Sequence, residues 1–298
     1  MKLEGLGESE LLRRILPYLT TSGYAVVAGE DDAAVWPSLD PDHPQDYVVA
    51  SCDTSVEGVH FDLSWMAAPD VGHRALALAL GDLAAKGAAP KYVLVALAAP
   101  RSWSVETLTG VYEGIRRVAD RFDVAVAGGD TTAIDGPAVL TLTVLGTTAD
   151  VPLARSRVQP GWVVGVTGPL GAAAVALRGR RVFLPEPRFE VGVALSQAEL
   201  ACGDISDGLL REMEKFAAVS GAGCVIRAAD VPVAAGASLE DALTSGEESE
   251  LVCVGPEDRV IHAGIRPIGE MTPGGEVRVV GPDGADLTLK VRGYDHFS

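Results

Sequence analysis

Aromatic side chains are scarce: Phe, Trp and Tyr make up 5% of the 298 residues, so a core must rest on Ala, Val and Leu. Cations are also few. Twenty-four Lys and Arg against 41 Asp and Glu leave a net charge of −17, a balance that repels nucleic-acid backbones and anionic membranes. No apolar run reaches the length of a membrane span, and the longest, such as VLVALAAP (93–100), suit buried strands. The N-terminus, MKLEGLGESELLRRI, carries acids where a secretory leader needs an apolar segment. Cys52, Cys202, Cys224 and Cys253 form no C-x-x-C pair and no metal-finger spacing, which points to free thiols in a reducing cytoplasm. The chain contains no Gly-Lys pair, hence no G-x-x-x-x-G-K-[ST] phosphate loop. No G-x-G-x-x-G follows a strand, no G-x-S-x-G elbow occurs, and the histidines lack H-E-x-x-H spacing.

What is present is an alternation of strand and helix patterns, which predicts an α/β architecture. Helices are expected over 8–19, 70–88 and 107–122, and strands over 47–53 (ending at Asp53), 124–130, 138–148, 162–168 and 250–255. The stretch 203–220, GDISDGLLREMEKFAAVS, reads as a helix with Asp204 at its cap. A boundary falls near 149–160, where ADVPLARSRVQPG is polar and carries two prolines, so domains of residues 1–149 and 150–298 are expected.

Acids recur at the edges of these elements, in GEDDAAV (29–35), ASCDT (50–54), GDLAAKGA (81–88), AGGDTT (127–132) and GDISDGL (203–209). Each has an ordinary explanation. Asp53 and Asp130 suit turns, Asp204 and Asp207 suit a helix start, and only Asp82, inside an Ala/Leu helix, demands a partner. Together they read differently, because ligands of open α/β sheets collect at strand ends and helix starts. Oxygen-only donors suit hard cations, Mg²⁺ above all, which takes a few carboxylates plus substrate phosphates. The residues therefore predict a magnesium–nucleotide enzyme without a phosphate loop.

The motifs resemble the thiamine-monophosphate kinase family, within the aminoimidazole-ribonucleotide-synthetase-like superfamily. DDAAV (31–35), DTSVEGVHF (53–61), HRALALALGDLAAKGA (73–88), AGGDTT, LARSRVQPG (153–161), DISDGL (204–209), a degenerate GEESEL (246–251) and GYDHF (293–297) run almost end to end. The resemblance implies a two-domain α/β (α+β) fold. Its N-terminal mixed sheet pairs across a homodimer, and its C-terminal α/β domain completes the site. It implies transfer of the γ-phosphoryl group of ATP to thiamine monophosphate in the cytoplasm. Carried over by motif, Asp32, Ser51, Cys52 (through its carbonyl), Asp53, Asp82, Asp130, Asp204 and Asp207 hold several Mg²⁺ ions. Tyr112, Gly129, Asp130, Arg155 and Ser206 meet ATP, while His60, Glu247 and Tyr294 meet the acceptor.

No general base is implied, since a phosphate monoester with a second pKa near 6 is largely deprotonated at pH 7. The GEDDAAV block divides accordingly: Asp32 goes to metal, and Glu30 and Asp31 are expected to be solvated or behind the ligands. Five positions depart from the family pattern. Glu30 precedes the paired acids, Ala79 and Gly81 flank Asp82, and Glu248 and Ser249 follow Glu247 in the expected substrate wall. They keep two other readings open: a related enzyme with another phosphate or carboxylate acceptor, and a silent Mg–nucleotide-binding protein.

Overall fold

The computed structural model describes residues 7–19, 23–27, 30–287 and 292–296, the side chains of Glu8 and Ser9 excepted. A first five-stranded sheet is built from β1 (Ala34–Pro37), β2 (Tyr47–Val56), β3 (Ala89–Pro100), β4 (Ala125–Ile134) and β5 (Val139–Thr148), in the order β1-β2-β5-β3-β4. All its pairings are antiparallel except β3 with β4. A second sheet contains β6 (Val163–Val166), β7 (Ala201–Asp204), β8 (Ala222–Arg227), β9 (Leu251–Gly255) and β10 (Pro267–Val280), in the order β7-β9-β6-β10-β8. Segment 149–160 lies between the two sheets. Both are helix-flanked, as expected from the strand–helix alternation, and both are mixed. Among the described residues no helix is long and apolar enough to cross a membrane.

Two helices cover the first sheet: α2 (Ala68–Ala85) and α3 (Val105–Arg121). Their contact is close because both carry glycine at the crossing. A Cβ at Gly72 would lie 1.9 Å from the Val111 carbonyl oxygen, and one at Gly114 would lie 1.9 Å from that of Pro69. Leu76, Leu80 and Leu83 of α2 pack with Val93, Val95, Leu140 and Leu142 of the sheet. The last turn of α2 reaches the other half, where Ala85 packs with Leu195 of α5 (Phe189–Gln197), Cys202 of β7 and Cys253 of β9. One helix thus touches both sheets, and its C-terminal turn brings Asp82 and Lys86, one helical repeat apart, to the junction.

The 203–220 stretch folds differently from expectation. Asp204 is not a helix cap but the last residue of β7, and α6 (Leu209–Ser220) starts after Gly208. Glycine at 208 has φ 107°, a left-handed backbone, which lets the chain turn sharply between strand and helix. Likewise β2 does not end at Asp53 but continues to Val56. The first helix is shorter than 8–19, with α1 spanning Glu8–Ile15 before a single 3₁₀ turn.

Candidate active site

Carboxylates converge where the sheets meet. Asp32 enters from the loop before β1, Asp82 from α2 and Asp204 from the end of β7, and one oxygen of each lies within 4.8 Å of the others. Ser51 of β2 donates its hydroxyl to Asp82. Two residues on, and so on the same strand face, is Asp53. Asp82 stands in the last turn of α2, where the helix dipole disfavours an anion. That cost needs a compensating cation.

The protein supplies some cations itself. Arg155, 3% exposed, ion-pairs with Asp32 and with Glu212 of α6, and its backbone N–H donates to Asp31 at 2.9 Å. Lys86 ion-pairs with Asp31 and lies 3.4 Å from Asp32. Lys215 of α6 bridges Asp207 at 3.0 Å and Glu212 at 3.4 Å.

Electrostatics separate the acids. Burial opposes ionisation of Asp32, but Arg155 and Lys86 outweigh it and hold its carboxyl below the usual range. Asp82 and Asp204 go the other way. Burial pushes both well up, reinforced at Asp82 by Asp53 and Asp204, and at Asp204 by Asp32 and Glu212. Burial and the Asp207 charge push Asp53 up to about 6. Such a group is short of positive charge. Asp32 Oδ2 is moreover buried without a hydrogen-bond partner, with Lys86 Nζ 3.4 Å from it, an under-satisfied acceptor of the kind that a ligand satisfies. Oxygen-only donors with an unmet acceptor fit a hard divalent cation.

Beside the carboxylates opens a cavity of about 590 Å³ whose walls include His60, Phe61, Trp65, Arg74, Ser206, Asp207, Glu247 and Tyr294. His60 Nδ1 accepts the Val56 N–H at 3.1 Å, and burial lowers the imidazole pKa. His60 is thereby kept neutral. Its ring faces His296 with centroids 5.1 Å apart, and Tyr294 meets the His296 ring edge-on at 4.7 Å. A second hollow, about 650 Å³, runs between α3 and β4 and is lined by Tyr112, Glu113, Arg116, Arg117 and Thr131.

Residues 30–148 match the N-terminal domain of the AIR synthase related protein family. A thiamine-monophosphate kinase from Rhodopirellula baltica is 37% identical, covering 80% of this chain and 78% of its own. That of Bacillus subtilis is 30% identical, over 98% of this chain and 100% of its own. The chain belongs to the thiamine-monophosphate kinase family. Among solved structures, AaThiL complexed with AMPPCP and TMP superposes with a TM-score of 0.84 at 25% identity, covering 100% of this chain and 99% of that one. The thiamine-monophosphate kinase of Stenotrophomonas maltophilia K279a gives 0.72 at 29% identity, over 93% and 96%.

Within this kinase fold the expected site residues fall into three groups. Asp32, Ser51, Asp53, Asp82, Asp204 and Arg155 come together at the junction, with Asp207 adjoining through Lys215. His60, Ser206, Glu247 and Tyr294 share the cavity. Tyr112, Gly129 and Asp130 stand apart. Gly129 of β4 is in register with Val95, Leu142 and Asp53 on successive strands, three strand spacings or about 14 Å from β2. Asp130 is exposed on the edge strand. It cannot share an ion with Asp53 in this protomer. Gly129 itself must be glycine: its φ is 153° and a Cβ there would lie 1.7 Å from the Val95 carbonyl oxygen.

Other expectations need correction or refinement. The Cys52 side chain lies on the opposite strand face, where Sγ accepts from Thr143 Oγ1 at 3.4 Å, so its thiol points away from the acids. Asp31 is not solvated: its side chain is 1% exposed and held by Lys86 and Arg155, whereas Glu30 is exposed. Glu248 does not line the cavity; it caps the start of α4 (Ala172–Arg178), accepting the Gly171 N–H at 2.8 Å and the Ala173 N–H at 3.2 Å. Ser249 accepts the Glu186 N–H at 2.8 Å. Both departures therefore serve the scaffold and do not line the cavity. Gly81 does touch the site, since a Cβ there would lie 3.2 Å from Asp204 Oδ2.

Arg74, Lys86, Glu212 and Lys215 join the site without being among the expected residues. Lys86 had a local signal, lying one helical repeat after Asp82 in the same apolar helix. The others had none.

Proposed function

We propose that this protein transfers the γ-phosphoryl group of ATP to thiamine monophosphate, giving thiamine diphosphate and ADP, with Mg²⁺ held by Asp32, Asp53, Asp82 and Asp204. The observation that carries this reading is the convergence of Asp32, Asp82 and Asp204, with the Asp53 charge acting on Asp82, beside a cavity walled by His60, Glu247 and Tyr294, in a chain of this kinase family. A relative of the same fold, AaThiL, was solved with AMPPCP and TMP together.

When bound, Mg²⁺ supplies charge neutralisation for two phosphate groups that otherwise repel each other. The remaining work belongs to the chain. Phe61, Trp65 and Tyr294 offer apolar and aromatic walls for the acceptor's rings, while Arg74 and Arg181 add positive charge to the same cavity. Neutral His60 is available as a hydrogen-bonding group and not as a cation. No residue has to remove a proton, because the acceptor oxygen is already largely ionised at pH 7. Positioning and charge carry the reaction.

The protein works as a homodimer in this reading. β4 is exposed along nearly its whole length, and Tyr92, Leu94 and Val126 present large apolar side chains on the β3–β4 pair. An apolar edge of this kind invites pairing with a second copy. A dimer also accounts for the separation of Tyr112, Gly129 and Asp130 from the carboxylates, if those residues complete the partner's site. The four thiols, free in this structure, suit the reducing cytoplasm.

Product analysis tests the reaction. With ATP and Mg²⁺, thiamine monophosphate should give thiamine diphosphate and ADP, and free thiamine should give nothing, because its hydroxyl requires a base. Equal turnover of both would overturn the mechanism.

A further inference from the structure

Lys86 is 1% exposed, among the largest of the fully buried side chains, and it carries a charge. Its ammonium ion-pairs with Asp31, donates to the Cys202 carbonyl of β7 at 2.6 Å and lies 3.4 Å from Asp32. It joins the loop before β1, its own helix and the edge strand of the second sheet. Both oxygens of Asp31 are engaged by the protein. Oδ1 accepts from Lys86 and from the Asp32 N–H at 3.0 Å, and Oδ2 accepts the Arg155 N–H at 2.9 Å.

We infer that Lys86 is a resident counter-cation of the carboxylate group, a positioning residue that sets how tightly Asp32, Asp82 and Asp204 hold divalent cations. This rests on the metal reading given above. The physical reason is that a fixed charge inside the protein is screened far less than one at the surface. A buried ammonium beside Asp32 keeps the group from accumulating negative charge when no ion is bound. It also competes with the ion for the same carboxylates. Asp31 has the opposite sign and cancels part of that effect. The Lys86–Asp31 pair therefore divides two roles that a neutral residue at 86 would leave unfilled: it tolerates the empty state and moderates affinity in the loaded one.

A purely structural bridge and a counter-cation predict different things. Lys86→Met and Asp31→Asn break the same bridge, so a structural role moves both variants alike. A charge role moves them oppositely. The experiment is thermal melting of the full chain, stripped with chelator and dialysed, against MgCl₂ without nucleotide. Lys86→Met should melt lower than wild type in chelator yet show its Mg²⁺-induced rise at about tenfold lower concentration, the order expected for one charge acting across an interior. Asp31→Asn should need about tenfold more Mg²⁺ by the same reasoning. Midpoints that shift in the same direction, or not at all, overturn the inference. If Lys86→Met does not fold, Asp31→Asn decides alone, and an unchanged or lower midpoint overturns it. A wild type whose melting ignores Mg²⁺ overturns the metal reading itself, a result distinct from either variant's.

Discussion

Arg74 of α2 and Glu247 of the loop before β9 form an ion pair across 173 residues of sequence. Arg74 also donates to the Phe183 carbonyl, so one guanidinium, 6% exposed, ties the helix to two walls of the cavity. Glu247 meanwhile holds φ at 57°, a strained conformation for a residue with a side chain, and its N–H donates to Ser206 at 2.7 Å. Arg74→Lys keeps the charge but loses the fork that spans Glu247 and Phe183. It should raise KM for thiamine monophosphate about tenfold, equivalent to about 1.4 kcal/mol, and leave KM for ATP within about twofold. Equal effects on both substrates would remove Arg74 and Glu247 from the acceptor wall.

Asp53 should make the metal-free protein sensitive to pH. Its carboxyl is pushed up to about 6 from an ordinary 3.8, so between those values the folded chain holds a proton that the unfolded chain releases. The resulting stability is complete below the unfolded value and is lost as pH rises through about 6. In chelator at pH 7.5, Asp53→Asn removes the unfavourable charge and should melt higher than wild type, while being inactive with Mg²⁺ and ATP. A lower melting temperature for Asp53→Asn would show that the carboxylates do not repel one another.

Arg155 has a structural cost attached to any role with ATP. It neutralises Asp32 and Glu212 in the interior, and burial pushes the Glu212 pKa up despite Arg155 beside it. Removing one partner of such a buried network leaves uncompensated charge and costs about 3–5 kcal/mol. Arg155→Ala should therefore lower stability in denaturant titrations by that order before ATP binding is considered. A loss below about 1 kcal/mol, the range of surface pairs, would contradict the buried network.

The composite dimer site is open to subunit complementation. Asp53→Asn and Asp130→Asn should each be nearly inactive. Allowed to exchange subunits, they should recover about a quarter of wild-type activity, because half the dimers then hold one intact site. Val126→Lys, which puts a charge on the apolar edge, should give a monomer by light scattering and no activity. No recovery on mixing, from variants that still dimerise, would mean that Asp130 serves its own protomer.

Much of this was legible in the sequence, for local reasons. The alternation of strands and helices, the helical stretch around Asp82 and the acids of DDAAV, DTSVEGVHF and DISDGL follow from periodicity and from polar residues at element ends. Those patterns concern neighbours within one turn or one strand. β7 and β10 escaped that reading: β7 is four residues joined directly to the turn before α6, and Pro273, Gly274 and Gly275 interrupt the pattern of β10. Which acids meet was decided elsewhere. The strand order β1-β2-β5-β3-β4 puts β5 and β3 between Asp53 and Asp130, and no local pattern encodes that order. Asp204 joins Asp32 and Asp82 because α2 packs against both sheets, and Asp31 is buried because Lys86 and Arg155 reach it from elements 55 and 124 residues away. Carboxylates could be recognised from their types and spacing; their partners depended on long-range packing, where burial and charge balance act on groups that sequence distance keeps apart.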